Sequence, residues 1–171
     1  MRVLVAAASR HGATAEVARV IGEGLRFKGI DAWVAAPEEL GSLAGTDAVV
    51  LGSAVYSGHW LGPAIRLAER VGAELGGRPV WLFSSGPLGK PSGRLARQMS
   101  ADPVDLPSVM AGTKAREHRT FGGRLDRHQL HGLQRAALGL FPGLEGDFRD
   151  WASIRDWADG IARQLGAPAA R

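Results

Sequence analysis

Short apolar runs alternate with segments whose apolar residues recur at helical spacing along most of the chain. Runs that are apolar throughout are typical of strands buried on both faces of a parallel sheet, and the segments between them are typical of covering helices. The predicted strands are Arg2–Ala7, Ile30–Ala35, Ala48–Gly52 and Pro79–Ser84. The predicted helices between them are Thr14–Lys28 and Pro63–Leu75. The pattern therefore predicts an α/β fold with a doubly wound parallel sheet.

The pattern is weaker after Leu88, where glycine, proline and serine dominate as far as Pro103. A helix is expected to begin near Asp105 and Pro107 and to end near Ala115, because an acceptor side chain followed by proline suits a helix N-terminus. The remaining predicted elements are an edge strand at Glu117–Gly122, an insertion helix at Gln129–Phe141 and a last helix that Asp150 caps. No linker or repeat interrupts the sequence, so all 171 residues are expected to form one domain.

The first predicted strand leads into a short segment of small, hydroxyl and cationic residues where a helix begins. The segment comprises Ser9, Arg10, His11, Gly12, Ala13 and Thr14. A helix N-terminus leaves several backbone N–H groups without acceptors, and such groups can hold a phosphate. A Ser/Gly/Thr turn often serves only as a cap. We nevertheless expect a phosphate-bearing ligand, because two further loops of unusual composition leave the same edge of the sheet.

These two loops follow later strands at their carboxyl ends, where open parallel sheets bind ligands. The loop after the third strand comprises Ser53, Ala54, Val55, Tyr56, Ser57, Gly58, His59 and Trp60. The loop after the fourth strand comprises Ser85, Gly86, Pro87, Leu88 and Gly89. Tyr56 and Trp60 are candidate stacking surfaces, and the alternative is that they are core or rim aromatics. A flat aromatic ligand with one phosphate fits the three loops.

Composition restricts the chemistry that the chain can perform. The sequence has no cysteine, which excludes disulfides and thiolate chemistry, so redox activity must come from a bound cofactor. The net charge of +4 is scattered without a basic stripe, and we expect no nucleic-acid binding. No run of about eighteen apolar residues and no secretion signal occurs, so a cytoplasmic protein is expected.

Other motifs are incomplete. His128 and His131 have helical spacing for a metal but lack a carboxylate partner, so we expect no metal site. Ser84 and Pro91 stand where a P-loop needs glycine and a hydroxyl residue, which argues against a nucleoside triphosphate. No G-x-S-x-G elbow supports hydrolysis. We therefore name no catalytic residue and expect His59 to serve as a hydrogen-bonding group.

The loops resemble those of flavodoxins, because Ser9, Gly12 and Thr14 are similar to the T-x-T-G-x-T phosphate loop. More closely, the chain resembles the flavodoxin-like menaquinone-dependent protoporphyrinogen dehydrogenase family. Its T-R-D-G-x-T loop is matched except that His11 replaces the acid. Further similar positions are Gly52, Gly58, His59 and Trp60 in the second loop, Gly123–Leu125 before the last strand–helix return, and Trp157 in the terminal helix. The resemblance covers nearly the full chain.

The resemblance implies a five-stranded flavodoxin-like sheet of order 2-1-3-4-5, with a helical insertion before the last helix. It implies noncovalent FMN, whose phosphate the Ser9–Thr14 segment would bind through hydroxyls, backbone N–H groups and the Arg10 charge. Gly58 would let the backbone approach the flavin near N5, and Tyr56 or Trp60 would stack on the ring. The third loop has no aromatic residue, so one flavin face would be open to a planar reactant.

The implied function is an oxidoreductase that passes electrons through FMN between an organic donor, such as a porphyrinogen, and a quinone-like acceptor. Two departures concern specificity: Tyr56 and Ser57 replace a basic residue and tyrosine, and Arg124–Gly143 has few aromatics. One alternative is an electron carrier without its own substrate, which the basic charge argues against. Another is a binding module that has lost FMN. For the insertion helix, packing on the sheet edge or homodimerisation is favoured over peripheral membrane contact.

Overall fold

Five parallel strands form the main sheet of the computed structural model, which describes residues 1–86, 102–125 and 146–166. In chain order, these five strands and a sixth, short strand beside them are β1 (Arg2–Ala8), β2 (Asp31–Ala35), β3 (Ala48–Tyr56), β4 (His59–Trp60), β5 (Val80–Ser85) and β6 (Glu117–Phe121). The short β4 pairs antiparallel with the end of β3, and the others follow the order β2-β1-β3-β5-β6. Counted over parallel strands alone, this is the predicted order 2-1-3-4-5. A separate ribbon pairs β7 (Arg124–Leu125) with β8 (Gly146–Asp147).

The described helices lie in two layers that cover the two faces of the sheet. They are α1 (Ala13–Phe27), α2 (Gly62–Glu74), α3 (Leu106–Thr113) and α4 (Trp151–Gln164), and a short 3-10 turn spans Pro37–Glu39. Helices α1 and α4 share one apolar core, and α2 and α3 share the other. Successive residues of β1 alternate between the cores, with Val3 and Val5 in the first and Leu4 and Ala6 in the second. Burial on both faces explains why the strand is apolar at consecutive positions. Within the described ranges, no helix combines the length and apolar character needed to cross a bilayer.

Most predicted elements are confirmed within one or two residues, including the edge strand β6 and the last helix. The third strand is the exception, because it continues past Gly52 to Tyr56. Its extension pairs with β5 as far as Ala54 and then with β4, so the backbone ladder continues through small residues that suggested a loop. The insertion helix at 129–141 and the histidines at 128 and 131 lie outside the described residues.

The two aspartates that precede helices behave differently. Asp150 caps α4 as predicted, since its carboxylate accepts the N–H groups of Ala152 and Ser153 at 3.0 and 3.1 Å. Helix α3 begins directly after Asp105, but the prediction of a cap is wrong there, because the Asp105 side chain makes no capping hydrogen bond. Its carboxylate contacts a different part of the chain, described below.

A buried arginine joins the first turn of α1 to the segment before α4. Arg149 donates to Glu16 Oε2 at 2.7 Å and to the carbonyl of Ala13 at 3.3 Å. It also makes a two-pronged ion pair with Asp147, and its guanidinium lies 4.4 Å from the centroid of the Trp151 ring. These bonds satisfy a charge that would be costly to bury alone. They also hold the start of α1 in place.

The Arg149 hydrogen bonds hold the pKa of the Asp147 carboxyl below its ordinary value, although partial burial opposes the shift. The pair should therefore stabilise the protein above the ordinary pKa of aspartate and lose its effect as the pH falls through the lowered value. We expect Asp147→Asn to reduce the free energy of unfolding at neutral pH by about 1 kcal/mol or less, since Asp147 is 42% exposed. The difference from wild type should shrink near pH 3. Urea titrations at both pH values measure it, and a difference independent of pH would contradict the assignment.

Gly52 provides a test of packing at the middle of the sheet. A Cβ at this position would lie 2.1 Å from Cζ of Phe83, whose ring is fully buried. We expect Gly52→Ala to lower the free energy of unfolding by about 1–3 kcal/mol, because the ring has to move within a filled core. Gly41→Ala is the matched control, since a Cβ there meets nothing within 4 Å. Equal stability of the two variants in urea would show that Phe83 repacks freely.

Candidate cofactor-binding site at the carboxyl ends of the strands

The turn between β1 and α1 exposes Arg10, His11 and Gly12. Gly12 is the N-cap of α1 and has φ +83°, which favours glycine, although the space around it would admit a Cβ. Its carbonyl accepts the N–H of Glu16 at 2.9 Å, so the helix begins regularly. The conformation of Gly12 therefore turns the chain from the strand into the helix without a side-chain cap.

The same turn is rich in hydrogen-bond donors that have no acceptor. Among the described residues, none accepts a hydrogen bond from the backbone N–H groups of Arg10–Ala15. Thr14 lies at the same turn and is 2% exposed. Glu16, the acid of the first helical turn, is paired with Arg149. A set of free donors beside a neutralised carboxylate fits an anion such as phosphate.

Tyr56 brings the first and second loops together. The guanidinium of Arg10 lies 4.6 Å from the centroid of the Tyr56 ring, and the His11 ring lies 6.4 Å from it at an interplanar angle of 60°. Burial raises the pKa of Tyr56, and the Arg10 charge only partly opposes this, so the phenol is neutral at ordinary pH. A neutral, half-buried ring next to the turn between β1 and α1 is suited to contact with a flat ligand.

Trp60 belongs to the interior. Its ring is 4% exposed in the core beneath α2, and its Nε1 donates to Ser84 Oγ at 2.9 Å. Of the two aromatics considered for stacking, Trp60 is a core residue, and Tyr56 is partly exposed. Ser53 is also buried, and its Oγ donates to the Ala54 carbonyl and accepts the Leu61 N–H. These side chains attach β3 to the start of α2.

Ser84 connects Trp60 to the partly buried His118. The Ser84 hydroxyl lies 2.8 Å from His118 Nε2, and His118 Nδ1 lies 3.9 Å from Asp102 Oδ1. Burial lowers the pKa of His118 more than Asp102 raises it. Although these residue types occur in hydrolases, Ser84 is 0% exposed and its oxygen accepts the indole N–H. The chain of hydrogen bonds therefore links β4, β5 and β6 internally.

The second loop ends in a tight hairpin between β3 and β4. Its two turn residues, Ser57 and Gly58, have φ values of +51° and +79°, and consecutive positive values favour glycine at one or both positions. The Gly58 carbonyl accepts the Val104 N–H at 2.8 Å. Asp105 accepts the Trp60 N–H at 2.9 Å and lies 3.2 Å from His59 Nδ1. This role of Asp105 was not predicted from the sequence, because its position before a proline-containing helix start has the pattern of a cap.

Only the beginning of the third loop is described. Ser85 is buried opposite Ala54, and Gly86 has φ +120° and donates to the Phe121 carbonyl at 2.9 Å. Val55 of the neighbouring strand is partly buried beside this point. Residues 87–89, also predicted to bind the ligand, lie outside the described residues. The structure thus brings the first two loops and the first residues of the third to one edge of the sheet.

In the described part of the chain, no group of three or more His, Asp or Glu side chains is arranged to hold a metal ion. Among the described residues, the site offers a turn with unpaired N–H donors, the half-buried ring of Tyr56 and the Ser57–Gly58 hairpin. This donor set fits a flat ligand with a phosphate tail better than it fits a metal.

Comparison with known proteins agrees with the geometry. The family model described as a flavodoxin domain matches residues 4–150. A search of curated proteins gave no match. Among solved structures, an archaeal flavodoxin is 18% identical with a TM-score of 0.64, covering 97% of this chain and 99% of that chain. A cysteine-to-serine mutant of flavodoxin from Pseudomonas aeruginosa is 16% identical with a TM-score of 0.63, covering 97% of this chain and 99% of that chain.

A larger protein contains a similar unit. Rubredoxin:oxygen oxidoreductase from Desulfovibrio gigas is 16% identical with a TM-score of 0.63, and the match covers 99% of this chain but 37% of that one. At these identities the structures show the fold alone, whereas the family model covers most of the chain and shows the family. This chain belongs to the flavodoxin domain family, which implies that it binds FMN.

Proposed function

We propose that this chain is an FMN-dependent oxidoreductase that passes electrons from an organic donor to a small quinone-like acceptor. The observation that supports it most is the set of unpaired N–H donors at Arg10–Ala15 beside the half-buried ring of Tyr56. The coarser function, electron transfer through FMN, follows from the family. The donor and acceptor classes are the finer part of the proposal.

Different residues at the site would bind different parts of FMN. The free N–H groups of the β1–α1 turn, the hydroxyls of Ser9 and Thr14, and the Arg10 charge would hold the phosphate. Tyr56 would contact the isoalloxazine, and the Ser57–Gly58 hairpin would approach its edge with backbone atoms. Bound FMN supplies the electron or hydride transfer. The chain itself contributes orientation and the positive charge of Arg10.

The residues at the rim of the site favour a small, uncharged electron acceptor. Val104, which is 69% exposed, lies beside Gly58, and the exposed His59 is paired with Asp105. An apolar side chain at the rim is better suited to a planar quinone than to an ionic partner. A porphyrinogen remains the proposed donor because of the sequence resemblance, and neither reactant class depends on a catalytic side chain.

A second candidate is a flavodoxin-type carrier without its own substrate. The end-to-end likeness to free-standing flavodoxins favours it, since 97% of this chain and 99% of the archaeal protein superpose. Such a carrier docks on proteins, and electrostatic complementarity then determines its partners. The positive net charge of +4 would select acidic partner surfaces.

Phosphate recognition is tested by comparing FMN with riboflavin, which lacks the phosphate. We expect Ser9→Ala combined with Thr14→Val to weaken FMN binding by a few kcal/mol at most, since each hydrogen bond to a charged group contributes about 1.5–3 kcal/mol. Riboflavin binding should be unchanged, because the ring contacts remain. Quenching of flavin fluorescence measures both dissociation constants. Failure of the wild-type chain to bind FMN would refute the function, and equal losses for both ligands would place the phosphate elsewhere.

The acceptor class is tested with the reduced, FMN-loaded protein. We expect reoxidation by menadione, a small quinone, to reach a maximal rate as its concentration rises, because binding precedes transfer. Val104→Ser should raise the half-saturating concentration several-fold, as expected for the loss of about 1 kcal/mol of apolar contact. Anaerobic stopped-flow absorbance records the rates. A linear dependence without saturation would favour the carrier.

A further inference from the structure

The hairpin at Ser57 and Gly58 requires support from outside itself. Both residues have left-handed backbone conformations, and serine adopts this conformation at a steric cost. The two residues are exposed, so packing of their own side chains does not hold them. A strained, exposed turn persists only where the surrounding structure determines its conformation.

The support comes from the segment that leads into α3. The N–H of Val104 donates to the Gly58 carbonyl at 2.8 Å, and the Asp105 carboxylate accepts the Trp60 N–H at 2.9 Å. The same carboxylate contacts the ring of His59 at 3.2 Å. Two consecutive residues therefore hold three consecutive residues of the hairpin, through bonds to the backbone on both sides of His59.

The carboxylate of Asp105 accepts a hydrogen bond from the hairpin and none from its own helix. It stands at the N-cap position of α3, yet it makes no bond to that helix. A capping aspartate stabilises a helix by roughly 0.5–2 kcal/mol, and Asp150 shows that this chain uses the arrangement elsewhere. The Asp105 side chain is 29% exposed, so its bond to the Trp60 N–H is partly shielded from water.

We propose that Asp105 is a positioning residue for the flavin ring: it holds the Ser57–Gly58 hairpin in the orientation that the ring meets on binding. This inference rests on the proposed placement of the ring beside Gly58. Because the Gly58 carbonyl is already bonded to Val104, the peptide is oriented before the ligand arrives. Binding to a preorganised turn avoids the cost of ordering it.

The prediction is that Asp105→Ala weakens FMN and riboflavin equally, by about tenfold each, as expected for the loss of one charge-assisted hydrogen bond. This differs from the phosphate-loop variant, which affects FMN alone. The visible circular dichroism of bound flavin should also change, because it reports how the ring is held. Fluorescence quenching gives both dissociation constants.

Asp150→Ala is the matched control, because it removes an aspartate that precedes a helix but does not contact the hairpin. It should lower the urea midpoint of unfolding and leave both dissociation constants and the flavin spectrum at wild-type values. If Asp105→Ala does not fold, Asp105→Glu replaces it, since this variant keeps the charge but moves the carboxylate by one methylene. A raised dissociation constant for both ligands then supports the inference.

The outcomes separate this inference from the function on which it rests. Wild-type binding of FMN together with wild-type constants and spectrum in the Asp105 variant would overturn the positioning role and leave the function intact. A loss confined to FMN would also overturn it, since the effect would then reach the phosphate and not the ring. Absence of FMN binding in the wild-type chain would refute both.

Discussion

The parallel pairing of β1 with β3 is the constraint on which the site depends. Its register places Ala8, the last residue of β1, opposite Ser53, so the turn after β1 lies next to the last residues of β3, which ends at Tyr56. The contact between Arg10 and Tyr56 follows directly from this register. A shift of one residue would turn every side chain of β1 toward the opposite core and remove the contact. The apolar residues of both cores thus maintain the geometry of a polar site.

Polar side chains near the site fall into two groups with different environments. Ser53, Ser84 and His118 are enclosed, and they use their hydrogen-bonding capacity on one another and on neighbouring backbone and indole groups. Arg10 and His11 are exposed on the turn. Buried polar atoms have to be paired, whereas free donors are tolerated where water or a ligand can reach them. The unpaired donors at the start of α1 therefore indicate a binding surface.

Ion pairs and backbone bonds hold the two turns from opposite sides. Arg149 bonds to Ala13 and Glu16 and fixes the first turn of α1, while Val104 and Asp105 fix the hairpin after β3. Each support comes from a segment distant in sequence that returns to the sheet. The arrangement is consistent with a ligand held between turns whose backbones are ordered in advance.

The order of strands and helices, the two-sided burial of the sheet and the turn at the start of α1 could be predicted from the sequence, because each depends on local periodicity or on a short motif. The assignment of Ser9–Thr14 to a phosphate stays a prediction. The role of Trp60 could not be predicted, since an aromatic residue after a glycine hairpin has the same local pattern whether its ring faces a ligand or the core.

Asp105 and Asp150 also show that the local sequence does not determine which group a side chain bonds to. Both precede a helix, and the local sequence predicts a cap for each. Only the tertiary structure decided that Asp150 bonds to its own helix and Asp105 to Trp60, 45 residues earlier. A carboxylate bonds to whichever N–H donors the completed fold brings within reach, and long-range chain packing determines which donors those are.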